Sequence, residues 1–279
     1  MSEEHPLILF TNDDGIDSPG LWSLVHEFAE LGDRLIVAPR EQQSGMGRSL
    51  PIFSEGRIYP RETINGHTYV AYAVDATPAQ AVQHGVLELA DREPSLVISG
   101  INYGDNLGNG VTVSGTVGAA LEGASLGIRS IAISQQTRYD QHLTYSEDVD
   151  FSIAAYFGAL FARWLLSDQR PDDVDILKID VPLGATTGTE WRITRLSRRR
   201  VYWPTRPERR AKPSDIGRLG YKYDTDPSHA EPDSDVYTVL HDGLVSVTPM
   251  SLDMTSRTDL FRLRGLITGE EALRKTKSR

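Results

Sequence analysis

The chain switches repeatedly between two hydrophobic periods, and this alternation constrains its fold more than any other feature. Short β-rich apolar runs at Pro6 to Thr11, Arg34 to Ala38, Tyr69 to Val74, Ser95 to Ser99 and Ser130 to Ser134 read as buried strands. Between them, Pro19 to Leu31, Thr77 to Leu89 and Thr116 to Leu126 have the length and apolar spacing of helices. Strands that alternate with helices pair in parallel through right-handed crossovers, which predicts an α/β, doubly wound, mainly parallel sheet with helices on both faces. Ligands of such sheets bind beyond the carboxyl ends of the strands, so the loops that follow the strands are the place to look for chemistry.

The pattern continues through a helix from about Glu147 to Leu166 and a strand at Ile176 to Val181, and then changes. Trp191 to Tyr202 carries the basic cluster Arg195, Arg198, Arg199 and Arg200, and Pro204 to Pro232 is rich in Pro, Asp, Arg and Gly with little periodicity, as in a long loop or arm. Asp235 to Pro249 reads as two strands about a turn at His241-Asp242-Gly243, Asp259 to Leu266 as a short helix, and Arg274 to Arg279 as a frayed basic tail. The expected division is an α/β core over 1–190, followed over 191–279 by an arm, a β-hairpin and a short helix packed on the core and on a partner subunit. No internal repeat of fixed period is present.

Composition narrows the function. The 279 residues include 39 acidic and 29 basic side chains, a net charge of -10, so the average surface repels phosphate backbones and no nucleic-acid polymer is expected as a partner. A small anion would need a local device, either a cation or backbone N–H groups. The absence of cysteine excludes disulfides, thiolate nucleophiles and sulfur-ligated metals, leaving oxygens and histidines as ligands. The acidic start, Met-Ser-Glu-Glu-His-Pro, is unlike a secretory signal, and the expectation is a cytoplasmic protein. Phe151 to Leu166, the longest apolar stretch, is short for a bilayer and contains Arg163, so no membrane association is expected.

Three loops hold residues suited to chemistry. Thr11-Asn12-Asp13-Asp14-Gly15 places two adjacent carboxylates where the first strand ends. Burial of such charges costs several kcal/mol each, by rough estimate, unless a cation or donors compensate. A turn before Gly15 with one Asp capping the next helix explains the pair about as well as a metal does. All-oxygen ligation would favour magnesium or manganese, with calcium possible. The second loop, Ala38 to Ser49, is polar and glycine-bearing, and by itself reads as a flexible connection. The third runs from Ser99-Gly100-Ile101-Asn102 through Asn106 and Gly110 to Ser114-Gly115-Thr116 at the start of a small-residue helix. Free N–H groups, hydroxyls and the helix dipole there suit a phosphate, although an N-cap and close helix packing account for Ser114, Gly115 and Gly118 as well. There is no P-loop and no dinucleotide fingerprint. The seven histidines show no ligand spacing and lie outside these loops, so each reads as structural or exposed. Lacking a nucleophile-elbow triad or Asp-x-Asp-x-Thr, the chain favours metal-activated water over a covalent intermediate.

Together these motifs resemble the SurE survival protein family, the stationary-phase 5′/3′-nucleotidases. The matching segments are Thr11-Asn-Asp-Asp-Gly-Ile-Asp-Ser-Pro-Gly20, Ala38-Pro39 with Gln43-Ser-Gly-Met-Gly-Arg-Ser49, Ser99-Gly-Ile-Asn102 with Asn106 and Gly108, Ser114-Gly-Thr-Val-Gly-Ala-Ala120, and Val245-Ser-Val-Thr-Pro249. The likeness covers most of 6–134 and returns around 175–182 and 235–255. It implies a Rossmann-like core, with a C-terminal hairpin and arm exchanged between subunits of a homodimer or homotetramer. It implies that Asp13, Asp14, Ser44 and Asn102 bind one divalent cation per subunit, Mg²⁺ or Mn²⁺, while Asn106 with Ser114, Gly115 and Thr116 holds the substrate phosphate. Asp13, Asp14 and Asn106 would be catalytic.

The activity implied is hydrolysis of nucleoside 5′-monophosphates, and of 3′-monophosphates or short polyphosphate in some members. A non-catalytic nucleotide-binding regulator built on the same loops is the alternative. The chain departs from the family pattern at Ala76-Thr77-Pro78-Ala79-Gln80, where Gly-Thr-Pro-x-Asp is usual, at Pro51, where Thr is usual, and at Asp180-Val181-Pro182, where Asn-Val-Pro is usual.

Overall fold

The computed structural model describes residues 5–61, 70–142, 146, 148–167, 171–209 and 212–269. Six parallel strands form the centre of the sheet: β1 (Leu7–Thr11), β2 (Asp33–Pro39), β4 (Val70–Val74), β5 (Leu96–Tyr103), β6 (Ser130–Gln135) and β7 (Ile176–Val181). Antiparallel β3 (Ile58–Arg61) closes one edge, while β11 (Val245–Met250), antiparallel to β7, and β8 (Trp191–Ile193) close the other. The order is β3-β4-β2-β1-β5-β6-β7-β11-β8. From β1 the chain winds outward through β2 and β4, then returns to β5 on β1's other side and winds the opposite way. The switch point of this α/β, doubly wound sheet therefore lies between the carboxyl ends of β1 and β5.

Strand periodicity assigns the two cores. Ile8 and Phe10 of β1 and Ile36 and Ala38 of β2 face one layer, formed by α1 (Pro19–Glu27) and α4 (Ser152–Leu165), where Leu24, Phe28, Phe157 and Phe161 are buried. Leu7, Leu9, Leu35 and Val37 face the opposite layer, formed by α2 (Pro78–His84) and α3 (Gly115–Ser125), where Ala81, Val82 and Ala119 lie. Because both faces are covered, the central strands read as continuous apolar runs. Among the described residues no helix is long and apolar enough to cross a membrane.

Two expectations are corrected. The segment from Asp235 does not open as a strand: it forms helix α5 (Asp235–Leu240), capped by the Ser234 hydroxyl, which accepts from the Tyr237 N–H at 3.3 Å. Its β-branched residues suggest a strand, but Val236 and Val239, three apart, both enter a cluster with Leu107 and Val201, and that packing prevails over propensity. The C-terminal hairpin lies earlier, within the stretch expected to be irregular. It consists of β9 (Tyr202–Thr205) and β10 (Gly220–Tyr223), antiparallel to each other, whose tyrosines are interrupted by Pro204 and Lys222. Beyond residue 190, β8 and β11 extend the main sheet, and α6 (Leu260–Thr268) follows, with Asp259 as its N-cap. Helix α4 begins at Ser152; Glu147, Tyr69, His67 and the basic tail lie outside the described residues.

Candidate functional site

The loop after β1 is shaped by Asn12. Its side-chain amide donates to the Gly15 carbonyl at 2.9 Å and its oxygen accepts the Gly15 N–H at 3.0 Å. Ser18 takes the N-cap position of α1, followed by Pro19, so neither Asp13 nor Asp14 caps that helix. Both carboxylates turn inward, only 4% and 1% exposed.

Asp13 faces the amino end of α3. The Thr116 hydroxyl donates to its Oδ1, and the backbone N–H groups of Thr116 and Gly115 also bear on it. This approach requires glycine: a Cβ on Gly115 would lie 2.6 Å from the Cβ of Asp13. Asp14 accepts from the Gln42 amide at 3.0 Å and from the Tyr103 N–H at 3.2 Å. Burial raises the Asp13 carboxyl from 3.8 to about 6, against the opposing hydrogen bonds. Burial, and then the neighbouring charge of Asp13, push Asp14 well above the ordinary range. Among the described residues no Lys, Arg or His forms an ion pair with Asp13.

Two further loops converge here. The loop after β2 is drawn onto α3 by the Gly47 N–H, which donates to the Val113 carbonyl at 3.0 Å, and by an Arg48 to Glu122 ion pair at 2.6 Å. Gly118 permits the closeness, since a Cβ there would stand 2.2 Å from the Gly47 oxygen. Ser44 is thereby held on the wall of the cleft. In β5 the register with β6 shifts between Ser99 and Asn102, an irregularity of the kind that re-aims side chains near functional sites. Asn102 donates through Nδ2 to the Gly104 carbonyl at 2.6 Å, which leaves its Oδ1 as an acceptor.

Asp13, Ser44, Asn102, Asn106 and Ser114 line one cleft of about 660 Å³. The Asn106 side chain donates to the Ser134 hydroxyl at 2.7 Å, and the Ser114 Oγ accepts the Val117 N–H at 3.1 Å as the N-cap of α3. Thr116 is fully buried with its hydroxyl engaged by Asp13, so it supports the carboxylate from behind. The donor set fits a hard divalent cation: two carboxylates that burial disfavours as anions, Asp14 further through the charge of Asp13, with an amide oxygen and a hydroxyl. Among the described residues no group of three or more His, Cys, Asp or Glu is gathered, so a cation here would take part of its shell from neutral oxygens.

The structure also places in and behind the cleft residues to which the sequence motifs gave no role. Lys178, Asp180 and Asp235, all fully buried, form an ionic cluster in which Lys178 contacts Asp180 and lies 3.0 Å from Asp235. Asp180 accepts the Asn106 N–H at 2.8 Å and Asp235 accepts the Gly108 N–H at 2.9 Å, so the cluster grips the loop that carries Asn106. Burial alone would lower Lys178, but the two aspartates outweigh it and hold the ammonium above its usual range. Asp105 is buried beneath the hydroxyls of Tyr202 and Tyr223. His142, one of the histidines without ligand spacing, lines the cleft, and burial holds it below the ordinary histidine range. The signal for Lys178 and Asp180 was in the sequence: two opposite charges at i and i+2 of an apolar strand share one face.

Comparison with known proteins agrees with this architecture. The family model described as survival protein SurE matches residues 8–202. The 5′-nucleotidase SurE of Methanocella arvoryzae is 41% identical, over 89% of this chain and 93% of that protein. The 5′-nucleotidase SurE of Thermococcus gammatolerans is 38% identical, over 94% and 96%. The crystal structure of the Sure protein from Aquifex aeolicus superposes with a TM-score of 0.72 at 33% identity, covering 90% of this chain and 95% of that one.

Proposed function

We propose, since the chain belongs to the SurE survival protein family, that it is a 5′-nucleotidase: a metal-dependent phosphomonoesterase that releases phosphate from nucleoside monophosphates in the cytoplasm. The observation that carries this reading is the adjacent buried pair Asp13 and Asp14 at the sheet's switch point, with Asp13 facing the amino end of α3. One divalent cation per subunit, Mg²⁺ or Mn²⁺, would be held by Asp13, Asp14, Ser44 and Asn102. When bound, it supplies Lewis-acid polarisation of a phosphoryl oxygen and activation of a water.

The chain's own groups do the remaining work. Asn106 and Ser114 stand on the cleft wall to receive the phosphate, with Gly115 and Thr116 at the helix terminus behind them, where the dipole favours negative charge. Preorganised donors of this kind stabilise the charge that develops on the equatorial oxygens. A carboxylate of the Asp13–Asp14 pair accepts the proton of the attacking water. The fixed position of Asn106, with its backbone on Asp180 and its amide on Ser134, avoids reorganisation during the reaction.

The protein would work as a homodimer or homotetramer. The apolar side chains Leu260, Phe261, Leu266 and Ile267 of α6 are exposed, as are Ile216 and Leu219 beside β10, and a second copy of the chain would cover them. The test is phosphate release from AMP, GMP and para-nitrophenyl phosphate with Mg²⁺ or Mn²⁺. Activity should vanish with EDTA and fall about a hundredfold or more in Asp13→Asn with the fold intact. Nucleotide binding without turnover under every metal would overturn the enzyme and leave a nucleotide sensor. Full metal-dependent turnover in Asp13→Asn would remove Asp13 from the mechanism.

A further inference from the structure

The cleft is larger than a phosphate requires. A phosphate displaces only a few water volumes of about 30 Å³ each, whereas a 660 Å³ cleft falls within the range that holds whole small-molecule ligands. Its far wall comes from the β9–β10 hairpin and His142 and presents aromatic rings: Tyr221, Tyr202 and the imidazole, beside Arg200.

These rings are fixed in place. The Tyr221 hydroxyl and His142 Nδ1 are 3.2 Å apart, and the Tyr221 ring meets the Tyr202 ring edge to face, with centroids 5.5 Å apart and planes at 68°. Tyr202 in turn donates its hydroxyl to Asp105, to the carboxylate at 3.0 Å and to the carbonyl at 3.1 Å. The imidazole rests against Gly104, where a Cβ would come within 3.0 Å of Nε2. Gly104 and Asp105 belong to the loop between Asn102 and Asn106, so the aromatic wall is tied to the loop proposed to carry the metal and phosphate ligands.

From this geometry we infer that the wall formed by Tyr221, Tyr202 and His142 is a stacking subsite for the nucleobase of the substrate. The inference rests on the reading of the cleft as a nucleotidase site and extends it from the phosphate to the base. The polar tips of the rings are already engaged, by Asp105 and by one another, so what the wall offers a ligand is ring area rather than donors and acceptors matched to one base. Stacking of this kind tolerates any base and grows with ring area. The subsite should therefore accept purine and pyrimidine nucleotides alike, with purines held more tightly.

The experiment compares AMP with ribose 5-phosphate, which carries the same phosphoryl sugar without the base, in the wild type, Tyr221→Ala and Tyr221→Phe with Mg²⁺ or Mn²⁺. The wild-type ratio of kcat/KM for AMP over ribose 5-phosphate should be about 5- to 150-fold, the range that base–aromatic stacking implies. Tyr221→Ala should collapse that ratio through KM for AMP, and Tyr221→Phe, which keeps the ring, should retain it. Misfolding would depress both substrates together and leave the ratio standing, so the ratio isolates the subsite. Equal KM for the two substrates in the wild type, or an unchanged ratio in Tyr221→Ala whose ribose 5-phosphate turnover matches the wild type, would overturn the inference; if Tyr221→Ala loses turnover of both substrates, Tyr221→Leu is read by the same criterion. If neither substrate is hydrolysed, the nucleotidase reading fails separately. Calorimetric binding of adenosine then decides: weakening by Tyr221→Ala supports the subsite, and no weakening removes it.

Discussion

Two pairs of carboxylates are buried near the carboxyl ends of the strands, and the fold treats them differently. Asp180 and Asp235 close on the ammonium of Lys178, and their oxygens also receive the backbone N–H groups of Asn106, Gly108, Ser197 and Val236. Asp13 receives the Thr116 hydroxyl, Asp14 receives the Gln42 amide and the Tyr103 N–H among its contacts, and the charge of Asp13 pushes its neighbour's carboxyl upward. One pair carries its counter-ion within the chain, while Asp13 of the other lines an open cleft where a cation can arrive from solution. Burial of acidic groups is thus not what marks a site. What matters is whether the compensating charge is built into the fold.

The largest expected effect comes from removing the built-in counter-ion. Lys178→Met keeps the length of the side chain but leaves Asp180 and Asp235 facing each other without the ammonium. Breaking a buried ion pair in this way costs about 3–5 kcal/mol, and urea unfolding should show a loss of that size. The Asn106 loop hangs on both aspartates, so kcat should fall as well. A stability change below about 1 kcal/mol would mean that Lys178 is not what holds the cluster, and the distinction between the two pairs would collapse.

How much of this could be read from the sequence follows the same division. The central strands and α1 to α3 were legible because strands covered on both faces read as short continuous apolar runs, as Leu7 to Thr11 does, between segments of helical length and spacing. Asp13, Asp14, Asn106 and Ser114 were legible as candidates because they follow strands at the edge where a doubly wound sheet binds its ligands, whereas Ser44 and the ligand role of Asn102, which lies within β5, came only from the family resemblance. Helix α5 was misread because its β-branched run mimics a strand until Val236 and Val239 find their tertiary cluster. The hairpin was missed because Pro204 interrupts its first strand and a long polar connection rich in Arg and Pro separates the two. His142 and Tyr221 reach the cleft from segments distant in sequence, with no local spacing to announce them.

Asp105 sharpens the comparison from between the two pairs. Burial raises its carboxyl from 3.8 to about 6; the Tyr223 hydroxyl opposes this, while the charge of Asp180 adds to it. A raised carboxyl stabilises the fold fully below its unfolded value near 3.8, and that contribution is lost as pH rises through about 6. Each tenfold difference in proton affinity between the folded and unfolded chain is worth about 1.4 kcal/mol, so the loss is on the order of 3 kcal/mol. Asp105→Asn lacks this titration. Its unfolding free energy relative to wild type should therefore rise by nearly that amount between pH 4 and pH 7.5. A difference independent of pH would show that the fold does not hold the Asp105 carboxyl above its ordinary value.

The smallest expected effects concern the open pair itself. At a hundred times its dissociation constant, Mg²⁺ or Mn²⁺ should stabilise the wild type by about 2.7 kcal/mol, read as a rise in Tm that EDTA reverses. In EDTA, Asp13→Asn should be more stable than wild type at pH 7.5. The carboxyl raised to about 6 no longer has to ionise in a buried site, a relief of roughly 3 kcal/mol, offset by about 1 for the weakened Thr116 hydrogen bond, leaving about 2. At pH 4 the wild-type carboxyl stays protonated in the fold and is partly protonated in the unfolded chain as well, so that advantage should disappear. Added cation should then reverse the ranking at pH 7.5, because Asp13→Asn has lost a ligand. The same substitution would thus strengthen the metal-free fold and weaken the metal-bound one, a pairing that a purely structural carboxylate cannot produce. A wild type whose melting ignores every divalent cation would place Asp13 and Asp14 beside Asp180 and Asp235, as charges the chain compensates without help.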